Sequence, residues 1–291
     1  MTADERELLE KLRQSRRLLA AGEGTEAKSL LGDLSGYEAP ALAGEVHAVR
    51  ALLHEQEGRL ENAVEEWQRA VEARSDDVGA HLGLASALKR LGRFSEASRW
   101  LQRATALHPH SPGLREALSE TYQEQGLYAE AAGEAEALLR LQPRSPYAHD
   151  LLAAAYYHQG KLAEAMRTLA RLIRLEPTEP YHHFKLGVVL QQQGELGRAM
   201  WEYQRTLDLA PAATLAQIAW EAIQALDSFQ IQQVMLRAVE DRLFRHKLSR
   251  DPVATLGEYG YHLSEAALES LRWLDWEAYW QASGPRADLI H

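Results

Sequence analysis

One interval dominates this chain. Gly58, Gly92, Gly126, Gly160 and Gly194 stand 34 residues apart, and five residues after each comes an Ala: Ala63, Ala97, Ala131, Ala165 and Ala199. Pro109, Pro143, Pro177 and Pro211 keep the same interval, as do Pro112, Pro146 and Pro180. Chance does not align four series at one period, and a fixed period of this length is the mark of a repeat architecture. The residue types say what each unit is. A Gly can take the left-handed conformation that ends a helix without a Cβ penalty. Ser111-Pro112 and Ser145-Pro146 restart helices, with Ser as N-cap and Pro in the first turn, and the preceding Pro stops the previous helix. Small residues at Ala85, Ser119, Ala153 and Gly187, facing the Ala that follows each Gly, let paired helices approach to ~8–10 Å. The expected fold is all-α.

The fullest copy of the pattern reads His183-x2-Leu186-Gly187-x2-Leu190, then Ala199-x3-Tyr203, then Pro211. One repeat earlier it reads His149, Leu152, Ala153, Tyr156, Ala165, Leu169, Pro177. These residues resemble the tetratricopeptide-repeat (TPR) family. The resemblance implies a right-handed superhelical solenoid with repeats at 44–77, 78–111, 112–145, 146–179 and 180–213. The first is the weakest, with Arg50 and His54 at normally apolar positions and Ser75 in place of the Pro. Residues 1–43 carry a degenerate N-terminal helical pair, marked by Leu18, Gly22, Ala27 and Leu31.

After Pro211 the period fades. Residues 214–229 are expected as a capping helix over the last repeat's apolar face, and 230–291 as a C-terminal helical module and tail. In that module a helix through 230–248 is broken at Asp251-Pro252, and a last helix starts at Ser264 and ends near Gly284-Pro285. Residues 244–271, with Phe244-x3-Leu248, Asp251-Pro252, Tyr259-Gly260-Tyr261 and Leu263-Ser264, are similar to the small helical subunit of extradiol ring-opening dioxygenases and to leader segments of some ribosomally made modified peptides. The similarity implies a surface for complex formation and no catalytic group. On the last helix Trp273, Trp276 and Trp280 lie nearly opposite Ala267, Leu271, Leu274 and Ala278 at 100° per residue. Either both faces are buried, or the Trp face is a partner or dimer surface, where Trp is enriched.

Composition removes several functions. There is no Cys, hence no disulfide, thiol nucleophile or thiolate metal site. No nucleotide loop, HExxH helix or GxSxG elbow occurs, so no catalytic residue, metal or cofactor is assigned. With 32 Lys and Arg against 42 Asp and Glu, the net charge of -10 disfavours nucleic acid. No apolar run reaches the ~18–20 residues that span a bilayer, and no basic segment followed by an apolar core opens the chain; a cytoplasmic location is expected. His47, His81, His149 and His183 recur on the same grid, but neighbouring repeats hold them too far apart to share a metal. Each is expected to pack within its repeat with a ring nitrogen hydrogen-bonded. His182 points about 100° away from His183, and His108 and His110 are expected in solvent.

The resemblance implies that first helices line a concave groove through their second, fifth, ninth and twelfth positions. Carried onto this sequence, these include Leu82, Lys89 with the adjacent Arg90, Glu116, Glu120, Tyr147, Asp150, Tyr157, Tyr181 and Phe184. The groove then grades from basic, through acidic, to aromatic. The Lys/Asn carboxylate clamp of related co-chaperones is missing. The expected partner is a protein or peptide segment with a basic residue at Glu116, Glu120 and Asp150 and an apolar anchor among the aromatics. A solvated groove with tyrosines packed between helices is the alternative. A non-enzymatic scaffold or adaptor follows, open to homo-oligomerisation. A substrate-recruiting or regulatory subunit of a multi-component enzyme, docking through the C-terminal module, is the other reading. An active site within that module lacks a nucleophile, a metal cluster or a cofactor loop.

Overall fold

The computed structural model describes residues 3–31, 42–274, 276 and 278. Sixteen α-helices and no strand occur among them. The chain forms two compact units that divide between Gln159 and Gly160.

The first unit holds α1 (Ala3–Ala20), α2 (Gly24–Leu31), α3 (Ala43–Gln56), α4 (Leu60–Ala73), α5 (Val78–Arg90), α6 (Phe94–Leu107), α7 (Pro112–Glu124), α8 (Tyr128–Leu141) and α9 (Pro146–His158). From α3 onward the helices are 13 or 14 residues long, because the same signals start and stop each one. At Gly92 the backbone turns to φ 73°, and the Arg93 N–H reaches back to the Leu88 carbonyl at 2.9 Å, closing α5. Ser145 caps α9 by accepting from the Ala148 N–H at 3.2 Å. Ser111 has the same extended backbone before α7 but makes no such side-chain bond. Close approach does the rest. Gly83 faces the Trp67 indole so tightly that a Cβ there would lie 2.4 Å from the ring, and Ser119 Oγ donates to the Ala131 carbonyl at 3.0 Å. Around these points run continuous apolar clusters, one built on Trp67, Leu84 and Leu88 and one on Leu101, Leu118 and Leu138.

The second unit holds α10 (Leu162–Leu175), α11 (Pro180–Gln193), α12 (Leu196–Leu209), α13 (Thr214–Glu240), α14 (Arg242–Arg250), α15 (Pro252–Glu258) and α16 (Glu265–Arg272). Gly187 on α11 lies against the Tyr203 ring of α12, repeating the close approach seen in the first unit. The sequence predicts a break near 227–230, yet α13 runs unbroken for 27 residues. No Gly or Pro stands at 227–230, and Asp227 and Gln230 spend their side chains on the 262–264 segment and cap no helix. The break comes at Asp241, whose carboxylate caps α14 by accepting from the Leu243 and Phe244 N–H groups, both at 2.9 Å.

The C-terminal module packs Val234, Ala238, Phe244, Leu248, Leu256, Leu263, Leu271 and Trp276 into one core. Two buried polar side chains of α13 clasp the segment that precedes α16. Asp227 accepts from the Ser264 N–H at 2.8 Å and its hydroxyl at 2.5 Å. Gln230 accepts from the His262 N–H at 2.8 Å and donates to its carbonyl at 2.5 Å. The two described tryptophans expected on one face of the last helix have different surroundings. α16 ends at Arg272 and the chain bends at Trp273–Leu274, so Trp276 enters the core at 6% exposure while Trp273 stands out at 83%. Trp280 lies outside the described residues.

Candidate functional site

In the first unit, successive first helices adjoin: α5 packs on α7, and α7 on α9. Side chains cross from one repeat to the next on this face. Lys89 Nζ lies 3.3 Å from Glu120 and 3.1 Å from Glu124, and Arg90 pairs with Glu55 at 2.8 Å. The basic end expected of the groove is therefore neutralised by carboxylates of the flanking repeats. Gln123 donates to the Leu151 carbonyl at 3.1 Å, and the Tyr147 hydroxyl donates to Glu120. Leu82 is half-buried against the apolar cluster of α7 and α8. The structure thus links Lys89, Glu120 and Tyr147 in one network.

Glu116 sits one helical turn before Glu120 on α7. It is half-buried and makes no hydrogen bond or ion pair among the described residues. Burial first, and the neighbouring Glu120 second, push its carboxyl above the ordinary carboxylate range. Burial and the bond to Glu120 likewise raise the Tyr147 hydroxyl well above the usual phenol range, so it stays a donor while its ring remains exposed. Asp150, a turn along α9 from Tyr147, adds negative charge to the same hydroxyl. The result is an acidic, water-accessible patch with an aromatic ring at its edge.

The remaining aromatics behave differently. Tyr157 is half-buried, edge-on to His158 at 5.3 Å. In the second unit the Tyr181 ring is exposed beneath Lys185 Nζ at 4.4 Å, and Phe184 leans on Tyr203 at 5.6 Å.

The histidines bond close by, within their own repeat or to the turn just before it. His47 lies 2.7 Å from Glu66, His149 2.9 Å from the Ser145 carbonyl, and His183 2.8 Å from Glu202. His182 turns instead to Glu176 at 2.8 Å. His108 departs from expectation: it is half-buried, edge-on to His81 at 5.6 Å, and both rings lie within 3.2 Å of the Ser75 carbonyl. Among the described residues no three His, Asp or Glu stand where they could hold a metal, and no helix is long and apolar enough to cross a membrane. Glu55 and Glu124 escaped the sequence reading. The signal that could have found them is opposite charge at a near-repeat offset, 35 residues both for Lys89 with Glu124 (124 - 89) and for Arg90 with Glu55.

Paired helices stacked at a constant interval, with charged and aromatic side chains bridging successive first helices, define a helical-repeat scaffold of the protein-interaction class. Family comparisons agree. Models of the tetratricopeptide repeat match residues 12–78 and 54–120, and a TPR-repeat model matches 153–194. Two solved structures are similar in fold. One is MamA 41-end from Desulfovibrio magneticus RS-1, 18% identical, covering 60% of this chain and 99% of its own at a TM-score of 0.55. The other is YrrB, described as a TPR protein with an unusual peptide-binding site, 19% identical, covering 63% and 98% at 0.52. No curated protein matches the chain. The chain belongs to the tetratricopeptide-repeat family and has its all-α solenoid fold. The matched models end at residue 194, so the similarity of 244–271 to dioxygenase subunits and leader segments draws nothing from them.

Proposed function

We propose that this protein is a scaffold that holds a basic, partly apolar segment of a partner protein on the first-helix face of its first unit. Glu116, Glu120 and Asp150 receive the basic residue, and Tyr147 and Tyr157 pack against the apolar neighbour. One observation carries the reading: Glu116 is a half-buried carboxylate beside Glu120, and among the described residues Glu116 has no cation of its own. An incoming ammonium or guanidinium would offset both the desolvation and the like-charge repulsion. The peptide-binding site named for YrrB supports a peptide as ligand, and the net charge of -10 supports a basic one.

The test is fluorescence anisotropy with labelled peptides that carry Lys or Arg beside Leu, against the same peptides with Glu in place of the base. Basic peptides should bind and acidic ones should not. Glu116→Gln should weaken binding by about 10-fold, the scale of one lost charge contact. Affinity should also fall as pH drops through the raised Glu116 range, because protonation removes the charge that the base needs. Equal binding of both peptide sets, or affinity indifferent to Glu116→Gln, defeats the proposal.

A further inference from the structure

α13 carries two apolar seams where a surface helix needs one. The buried seam, including Ile223, Leu226 and Val234, packs inside the second unit. Opposite it, Ile218, Phe229, Leu236 and Val239 are 46–59% exposed. With Ala222, Ala225 and Gln232 they follow the alternating four-and-three spacing of a coiled-coil seam. At 100° per residue these positions stay within about 60° of one line, over roughly 32 Å of helix. From 222 to 236 the only charged residue is Asp227, and it faces inward to Ser264.

We infer that this seam is a self-association surface, in which α13 of one copy pairs antiparallel with α13 of a second. Three features select a second copy. Beyond Ile218 the seam is small at Ala222 and Ala225 and large at Leu236 and Val239. Such a seam complements itself only when reversed: Leu236 then faces Ala225 of the other copy, Val239 faces Ala222, and Phe229 faces Gln232. A parallel pairing would set alanine against alanine and leave voids. Charge is the second feature. A chain of net charge -10 repels its own copies least through a face poor in charge, and between Ala222 and Leu236 the seam carries none, with Glu221 and Glu240 confined to its ends. Area is the third. Four large, half-exposed side chains offer on the order of 300 Å² of apolar surface per copy, the size that marks an interaction patch on a monomer. Together with the alanines and flanking glutamines of two copies, they approach the ~1,200 Å² of a small stable interface. The contact is isologous, so it closes as a dimer and does not propagate.

Sedimentation velocity of the full chain across a wide concentration range should show a monomer–dimer equilibrium. Leu236→Glu should weaken it by about 100-fold or more, since the symmetry places the buried charge at the interface twice. Leu236 is exposed in the monomer, so circular dichroism and the melting temperature should stay unchanged. Phe229→Gln is a milder second variant with the same expected direction. The register can be read directly, because the chain has no Cys. A mixture of Ala225→Cys and Leu236→Cys chains, treated with a short thiol cross-linker, should yield chiefly the mixed 225–236 product. A monomer at every concentration, as a partner helix or another part of this chain on the seam would give, overturns the inference. So does a dimer indifferent to Leu236→Glu, or a cross-link that joins 225 to 225.

Discussion

The repeats and the C-terminal module are both bundles of short helices, but they are held together by opposite means. In the repeats the helices meet through closeness. Gly83 under Trp67, Gly187 under Tyr203 and Ser119 on Ala131 bring backbones together, within repeats and between them. In the module there is no recurrence. A single helix, α13, reaches out with Asp227 and Gln230 and fixes a non-helical segment through four hydrogen bonds. The lesson is about distribution. A device repeated many times tolerates one failure, because each repeat answers mainly to its neighbours. A device used once does not.

The strongest way to break the comparison is to remove the clasp. Asp227→Ala strands the Ser264 N–H and hydroxyl, and should cost about 3 kcal/mol, since bonds to a buried charge are worth ~1.5–3 kcal/mol and each orphaned donor adds to that. Hydrogen exchange should then show lost protection across 214–272, with α3 to α8 unaffected. Asp227→Asn keeps one acceptor oxygen and should cost less. Uniform loss of protection along the whole chain would mean that the module is not held separately.

A second prediction tests closeness itself. A Cβ on Gly187 would lie 2.7 Å from the ring of Tyr203, which is buried and bonded through its hydroxyl to Gln191 at 2.7 Å. Gly187→Ala should therefore cost ~1–3 kcal/mol, the usual penalty of overpacking. Gly133 is the control: it lies inside α8 with nothing within 4 Å of its missing Cβ. Gly133→Ala should stabilise by ~0.5–1 kcal/mol, the helix-interior cost of Gly. Chemical denaturation of the two variants gives opposite signs if steric fit governs the repeats, and the same sign if it does not.

The same contrast explains what the sequence could disclose. The all-helical repeat was legible because its signals are local: a Gly that stops a helix and a Pro that starts one act through their own backbone. α13 was misread because a fading repeat pattern was taken for a helix end, although Asp227, unlike Asp241, caps no helix and bonds Ser264 instead. For the reverse reason, the different settings of Trp273 and Trp276 were not legible. Trp273 and Trp276 share a helical face only if the helix continues, and burial of Trp276 among Phe244 and Leu248 is a tertiary demand that periodicity cannot express. On the candidate binding face, single positions were legible from the repeat grid. Neutralisation of Lys89 and Arg90 was not, since it depends on pairs between repeats that the grid treats one residue at a time.

Equivalence between repeats has a limit, and the smallest effect measures it. Ser111 and Ser145 are each followed by Pro, and the two backbones agree, at φ -85° and ψ 109° against φ -70° and ψ 113°. Only Ser145 bonds the N–H three residues on. The surroundings are otherwise so alike that the pair isolates one capping bond. Ser145→Ala should cost about 1 kcal/mol, the ordinary value of a lost cap. Ser111→Ala should cost a few tenths at most, because Pro112 still sets the first turn and no side-chain bond is lost. The comparison is read as a difference in urea midpoint between the two variants at constant slope. Equal shifts would show that both serines cap in solution. The repeats would then be more nearly identical than the geometry of α7 and α9 makes them.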